Sequence, residues 1–355
     1  MNRVTKRRIS VLIAGILIVS SSVFSQFSDV DFLRSSPADA VKFMQAYVTP
    51  WANAFGAGLN GSWYNTAKPH KLGGFDVTFS ANVGIVPSSA KTFDISSIGL
   101  SSDLSGTGNA PTVAGPKTDG PQMTYSKEGY TLANFTTPPG TNWRFIPVPT
   151  LQAGIGLPLG TEIKIRYVPK IDIKDGHVSL WGVGLMHSIT QYMPGHKLLP
   201  FDISLFAGYT KLSADVPLSL QPDPEIFLNY STIDPSTYFN DQNMNATVQA
   251  LNISAIGSIN LKVITFYAGL GYSRTSTSVN LEGHYPVPTL VDGEAEYNDT
   301  SIETGSDFPK IDIKNYSGLR TNIGFRIKLA IITIQADYTR AQYNVVSTGL
   351  GFSFR

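Results

Sequence analysis

The C-terminal run Asn344-Val345-Val346-Ser347-Thr348-Gly349-Leu350-Gly351-Phe352-Ser353-Phe354-Arg355 decides the fold. Asn344, Val346, Thr348, Leu350, Phe352 and Phe354 share one face, and Val345, Ser347, Gly349, Gly351, Ser353 and Arg355 share the other. A period of two excludes a helix. A greasy face opposite a small, polar one is what a strand needs between hydrocarbon and a polar lumen.

The pattern recurs backwards along the chain. Ile332, Ile334, Ala336 and Tyr338 oppose Thr333, Gln335, Asp337 and Thr339, and Leu319, Ile323, Phe325 and Ile327 oppose Arg320, Asn322, Gly324, Arg326 and Lys328. Phe75, Val77, Phe79, Ala81 and Val83 oppose Asp76, Thr78, Ser80, Asn82 and Gly84. Ile163, Ile165 and Tyr167 oppose Glu162, Lys164 and Arg166, and Phe201, Ile203, Leu205 and Ala207 oppose Asp202, Ser204 and Gly208. Soluble sandwiches and small barrels also alternate. Gly and Ser crowding on the polar face, and Tyr and Phe recurring near strand ends, favour the membrane reading.

Connector lengths add a topology. Links are short at 158–161, 258–261 and 328–329 and a little longer at 193–199, whereas 101–142, 213–244 and 282–309 are long. Short turns belong to the periplasmic side and long loops to the outside. The chain is therefore read as all-β, a transmembrane antiparallel barrel of about 12 strands, with ten to fourteen open. Strands are expected near 59–66, 72–87, 91–99, 146–157, 161–172, 176–191, 200–212, 245–257, 261–280, 312–327, 330–340 and 343–355, the first and third being the weakest.

The N-terminus sets the compartment. Arg3, Lys6, Arg7 and Arg8 precede an apolar run from Ile9 to Phe24, and Val23-Phe24-Ser25 fits a cleavage site. Residues 1–25 read as a secretory signal peptide, too short an apolar run to be a spanning anchor. Residues 26–58 read as a helical plug or tether, and 59–355 as an outer-membrane barrel. In the helical stretch Ser36 is placed to cap, with Pro37 in the first turn; Val41, Phe43, Met44 and Tyr47 keep helical spacing, and Pro50 is expected to kink or restart the helix. Whether it enters the lumen or rests on the periplasmic mouth stays open.

Composition excludes several functions. Losing the four basic residues of the leader takes the 27 Lys+Arg below the 26 Asp+Glu, so the mature chain is slightly acidic and ill suited to nucleic acid. With no Cys there is no disulfide, thiolate metal site or lipid-modified N-terminal Cys. The five His show no metal-ligand spacing, so no metal and no cofactor is expected.

Gly61-Ser62-Trp63-Tyr64-Asn65-Thr66-Ala67-Lys68-Pro69-His70-Lys71, followed by Gly74-Phe75-Asp76, resembles an uncharacterised family of Bacteroidota outer-membrane barrels (DUF6588-like). Trp181-Gly182-Val183-Gly184-Leu185-Met186-His187, with Gln191-Tyr192, Pro194-Gly195 and Leu199-Pro200-Phe201-Asp202, is similar to the same family. The resemblance covers most of the mature chain and implies a barrel but no activity. A helix-then-barrel layout is also similar, in architecture only, to the long-chain fatty-acid transporter group.

Four sets of residues are candidates for function. Glu162, Lys164, Arg166, Asp202, Arg320, Arg326, Lys328 and Asp337 are expected to line the lumen, pairing across a narrow barrel or biasing a wider pore. Lys68, His70 and Lys71 either form an anion or lipid-headgroup site or, the stronger reading, a turn with solvated charges. Pro169-Lys170-Ile171-Asp172-Ile173-Lys174 recurs as Pro309-Lys310-Ile311-Asp312-Ile313-Lys314, a chance echo or a polar rim framed by Asp172 and Asp312. The acidic stretch from Glu282 to Asp307 reads as a solvated loop or a cation bridge to lipopolysaccharide.

A lipase-like enzyme would need His187 and Ser179 to act together. The lipase nucleophile string is absent, so the chain is not expected to be an enzyme. The leading function is passage or binding of small, perhaps hydrophobic, solutes with the helix as plug or gate. The alternative is a structural or assembly role with the barrel closed. Expected partners are outer-membrane lipid and lipopolysaccharide, with periplasmic chaperones and the barrel-assembly machinery during insertion; the small-molecule ligand is unknown.

Overall fold

The computed structural model describes residues 36–173, 176–195, 199–219, 221, 235–286, 289–291, 294–296, 302–304 and 311–354. The signal-peptide reading, most of the acidic loop, and Pro309, Lys310 and Lys314 of the echo lie outside them or carry no described side chain.

Ten described strands close into an antiparallel barrel. In chain order they are β1 (Phe75–Ile85), β2 (Phe145–Leu157), β3 (Thr161–Ile173), β4 (Gly176–Ser188), β5 (Phe201–Pro217), β6 (Asn243–Leu261), β7 (Ile264–Glu282), β8 (Ile311–Leu329), β9 (Ile332–Arg340) and β10 (Asn344–Phe354). Each pairs with its sequence neighbour, and β1 closes the ring on β10, with Phe75 opposite Phe354 and Ile85 opposite Asn344.

The sequence count of about twelve is corrected to ten, at the low end of the expected range. Residues 59–66 pair with no strand, because they run down the inside of the barrel. In 91–99 only Thr92–Asp94 is extended, in a small sheet at the barrel mouth, and a 3-10 turn at Ile95–Ser97 follows.

The alternation maps onto the wall. β10 buries Val345, Ser347, Gly349, Gly351 and Ser353 and exposes Val346, Leu350, Phe352 and Phe354. On β8 the outward Leu319 and Ile323 are 75% and 68% exposed, more than apolar side chains of that size tolerate in water over a whole wall. Exposed rings gather at the two strand ends: Phe75, Phe266, Phe325, Phe352 and Phe354 at one, Phe145, Tyr167 and Trp181 at the other. Such paired girdles mark the two faces of a bilayer. No described helix is long and apolar enough to cross a membrane.

One end of the barrel has tight turns. Leu159, Lys262 and Ala330 take φ of 59°, 53° and 53° there, the left-handed geometry that reverses a strand within two or three residues. The other end carries the long connections. The segment 101–142, read from sequence as a polar loop, folds there into a three-stranded sheet of Leu104–Ser105, Gln122–Lys127 and Tyr130–Thr136.

α1 (Pro37–Leu59) is one helix of 23 residues, about 34 Å long at 1.5 Å per residue. Ser36 caps it: its hydroxyl accepts from the Asp39 amide and donates to the Asp39 carboxylate, 3.0 Å away. Pro50 neither ends nor restarts the helix, a departure from the sequence expectation. The helix lies inside the ring, packed on β8, β1, β7, β2 and β6, and continues past the missing N–H of Pro50. It starts at the loop end and stops partway down the lumen, and residues 60–71 continue to the turn end, where β1 begins.

Fit inside the ring depends on missing side chains. A Cβ on Gly84 of β1 would stand 1.9 Å from the Ala54 carbonyl oxygen, so helix and wall touch backbone to backbone.

The strands are longer than a membrane requires. β6, β7 and β8 have 19 residues each against the roughly 9–11 of a spanning strand. Their extensions wall in the upper half of α1. There Phe43, Met44 and Tyr47 share a core with Ile95, Leu104, Met123 and Phe135 from the loop sheets and with Met244, Leu281 and Ile313 from the strands. Burying each such side chain contributes about 1.5–3 kcal/mol. The loop end is thus a folded cap with α1 as its spine.

Asp39 ties helix to cap. Its carboxylate accepts from the Ser101 amide at 2.9 Å and from the Ser101 hydroxyl, and Lys42 lies 3.4 Å away. Burial acts to raise its pKa, but the hydrogen bonds from Ser101 and Ser36 and the Lys42 charge outweigh it, so the group titrates below an ordinary aspartate. A depressed carboxyl contributes stability that is present above its unfolded pKa, near 4, and is lost as pH falls through the folded value. Hydrogen exchange at residues 39–44 should therefore accelerate below about pH 4 in the wild type. In Asp39→Asn the same amides should be fast at neutral pH and respond little to acid.

Candidate functional site

The strongest chemistry in the barrel is where α1 ends. A helix leaves its last carbonyls unpaired, and α1 has no basic residue in its last turn. The wall supplies the donors. Arg166 of β3 donates to the Leu59 carbonyl at 2.7 Å and the Gly61 carbonyl at 2.6 Å. Arg320 of β8 donates to the Asn60 carbonyl at 2.7 Å and to Thr339 at 3.2 Å. Both guanidinium groups are buried, and they meet the negative end of the helix dipole.

Arg166 is also held on its other sides. Its Nε donates to Gln152 at 3.1 Å, and its charge lies 3.7 Å from the centre of the Trp63 ring. A desolvated cation over an indole face gains up to about 2 kcal/mol. Trp63 itself is 1% exposed and packs on Phe206, in space that Gly208 leaves open.

Below this clamp, residues 60–71 descend through the lumen and bond to the wall at several points. Tyr64 donates to Asn322 at 2.8 Å, and Asn65 bonds Gln335 and accepts from Arg326 at 3.2 Å. The Ala67 amide donates to Ser258 at 2.9 Å. Tyr267 of the wall donates to Asp337 at 3.0 Å.

At the turn end, the His70 amide and ring both meet Glu162, at 2.9 and 3.0 Å, and the other ring nitrogen meets Ser353 at 3.0 Å. Lys164 pairs with Glu162 and lies 3.9 Å from Asp76; Lys328 donates to Ser353 at 3.1 Å.

The predicted lumen charges thus fall into two groups. Arg166 and Arg320 clamp the helix. Glu162, Lys164 and Lys328 form the lower cluster with His70 and Asp76, and Arg326 bonds the descending string just above. Asp337 serves Tyr267. Asp202 stands apart on β5, bonded to Asn260 at 2.8 Å. Among the described residues these charges line no open pore: Glu162, Arg166, Arg320 and Arg326 take partners from residues 59–71, and Lys164, Asp202, Lys328 and Asp337 take theirs from the wall.

The anion-site reading of Lys68, His70 and Lys71 is corrected. Lys68 and Lys71 face solvent, while His70 turns inward onto carboxylates, which repel an anion. The expectation of no metal-ligand set also needs correction. Donor atoms of His70, Asp76 and Glu162 lie within 4.8 Å of one another, a convergence that strands far apart in sequence create. The Lys164 ammonium already stands among these carboxylates and supplies the positive charge a metal ion would bring.

His187 and Ser179 sit eight residues apart on one strand, about 26 Å at 3.3 Å per residue, so the lipase-like pair does not form. Asp172 and Asp312 lie on strands that are not neighbours and frame no common site.

Sequence reasoning missed Trp63, Gln152 and Asn65 as parts of the lumen network. Gln152 carried a usable signal, since it falls on the same strand parity as Thr150 and Gly154. Trp63 and Asn65 did not, because they stand on no strand.

A family model described as "Family of unknown function (DUF6588)" matches residues 3–354. No curated protein matches the sequence. Among solved structures, the attachment protein Ail of Yersinia pestis is 6% identical with a TM-score of 0.26, covering 80% of this chain and 98% of that one. The translocator domain of the autotransporter NalP from Neisseria meningitidis is 9% identical at 0.29, covering 87% and 96%. The outer-membrane protease OmpT of Escherichia coli is 9% identical at 0.26, covering 83% and 100%. Scores this low carry no function across. The expectation that the chain is no enzyme is withdrawn: the similar structures include a protease.

The clamp sets a measurable quantity. Replacing Arg166 by Met leaves the Leu59 and Gly61 carbonyls buried without donors, which should cost about 3–5 kcal/mol. Urea unfolding in detergent should show that loss, with Arg166→Lys recovering less than half of it because one ammonium cannot fork to both carbonyls.

Proposed function

The chain belongs to the DUF6588 family, and from its geometry we propose that it is a closed outer-membrane barrel holding a folded cap on the outer side of the membrane. The single observation that carries this is the occupied lumen: α1 and residues 60–71 fill it, and Arg166 and Arg320 anchor them. Passage of apolar solutes, of the kind the fatty-acid transporter likeness implied, would require this whole segment to leave, with two buried guanidinium groups losing their partners. The turn end faces the periplasm and the cap faces outward, following the usual placing of short and long connections. The signal peptide delivers the chain to that compartment.

Two experiments test the proposal. In planar bilayers the purified wild type should show no steady conductance, whereas Arg166→Ala/Arg320→Ala, once shown to be folded by heat-modifiable gel mobility, should show frequent openings. Steady wild-type conductance would overturn the closed-barrel reading. For orientation, the absence of native Cys permits single-site labelling. Ala38→Cys, at the exposed start of α1, should react with a membrane-impermeant maleimide on intact cells, and Leu159→Cys, on a tight turn, only after permeabilisation. The reverse pattern would invert the topology.

A further inference from the structure

The outer wall has a groove that its lipid-facing role does not by itself demand. It crosses β4 to β7 and has a volume of about 470 Å³. Its floor is Ala207 and Ala255, which sit on neighbouring strands, Ala207 opposite Ile253 and Ala255 opposite Leu205. Leu185, Leu205, Ile253 and Leu270 stand up around them, each about half exposed. Two small side chains ringed by large ones make a trough in the wall.

The groove is apolar along its length and polar at one end. His187 closes it on the turn side. The ring bonds Thr161 at 2.8 Å through Nδ1 and the Tyr192 hydroxyl at 3.0 Å through Nε2, and the Gln191 amide lies 3.3 Å away. Tyr192 is 68% exposed, so hydroxyl and ring sit at the membrane edge. Lys262, exposed on the tight turn joining β6 to β7, adds a cation at the same end of the barrel.

We propose that this groove binds one acyl chain of a glycerophospholipid from the turn-side leaflet, with the headgroup at the His187–Tyr192 rim. An apolar trough opening from the bilayer fits the tail. The exposed Tyr192 hydroxyl, positioned by the His187 ring, and the Lys262 ammonium at the same end of the barrel fit the phosphate and glycerol oxygens. The inference rests on the membrane reading above but fails separately from it.

Native mass spectrometry of the detergent-purified barrel, supplied with palmitoyl-oleoyl-phosphatidylethanolamine, tests it. The wild type should retain one lipid after detergent is stripped. Ala207→Phe/Ala255→Phe, which fills the floor, should lower the retained fraction at least tenfold while still inserting into vesicles and keeping heat-modifiable mobility. Should the double variant fail to fold, Ala255→Leu alone should give a smaller drop in the same direction. A folded wild type that inserts yet keeps no lipid, or a filled groove that keeps as much, overturns the site. A wild-type dimer that the filling variant dissolves overturns it too, by assigning the groove to a second copy. Failure of the wild type to insert at all would instead reject the membrane reading.

Discussion

A helix that ends inside a barrel has nowhere to put its last carbonyl groups. Solvent does not reach them, the strands spend their own amides on one another, and each orphaned acceptor costs about 1–3 kcal/mol. Two arginines solve this here. Arg166 and Arg320 reach in from well-separated strands and donate to Leu59, Asn60 and Gly61. A buried guanidinium needs a counter-charge as much as the carbonyls need donors, and the negative helix end supplies part of it. Each partner is tolerable only because of the other.

That bargain organises the rest. Above the clamp the lumen is apolar and shared with the cap, so the upper half of α1 behaves as the core of a small domain. Below it the lumen is polar, and the chain bonds to the wall at Tyr64, Asn65 and Ala67 before the cluster of His70, Asp76, Glu162 and Lys164. The long strands β6 to β8 belong to both halves, which makes the cap continuous with the barrel.

The wall was legible in the sequence because bilayer and lumen impose opposite demands on alternate residues, and β10, β9 and β1 state this in their letters alone. The weak strand assignment at 59–66 failed for a physical reason. Trp63 and Tyr64 look like strand residues, but their apolar surface is buried against Phe206 and Tyr267 inside the ring, and period-two reasoning has no term for a third layer. The inward parity of Arg166 and Arg320 could be read. Their partners could not, since a carbonyl leaves no trace in composition. His70 misled because Lys68 and Lys71 flank it in sequence, while the charges that govern it, Asp76 and Glu162, come from two strands.

The seam between β1 and β10 joins the first strand of the ring to the last. By the time β1 starts, the chain has already travelled the full length of the cylinder in the opposite direction. Eleven register pairs then lock the two edges together. A segment capped by a folded globule at one end and continuous with the wall at the other is hard to feed into a finished tube. Closing the terminal edges last, with the leading segment already in place, would avoid that threading, like staves drawn in around a post.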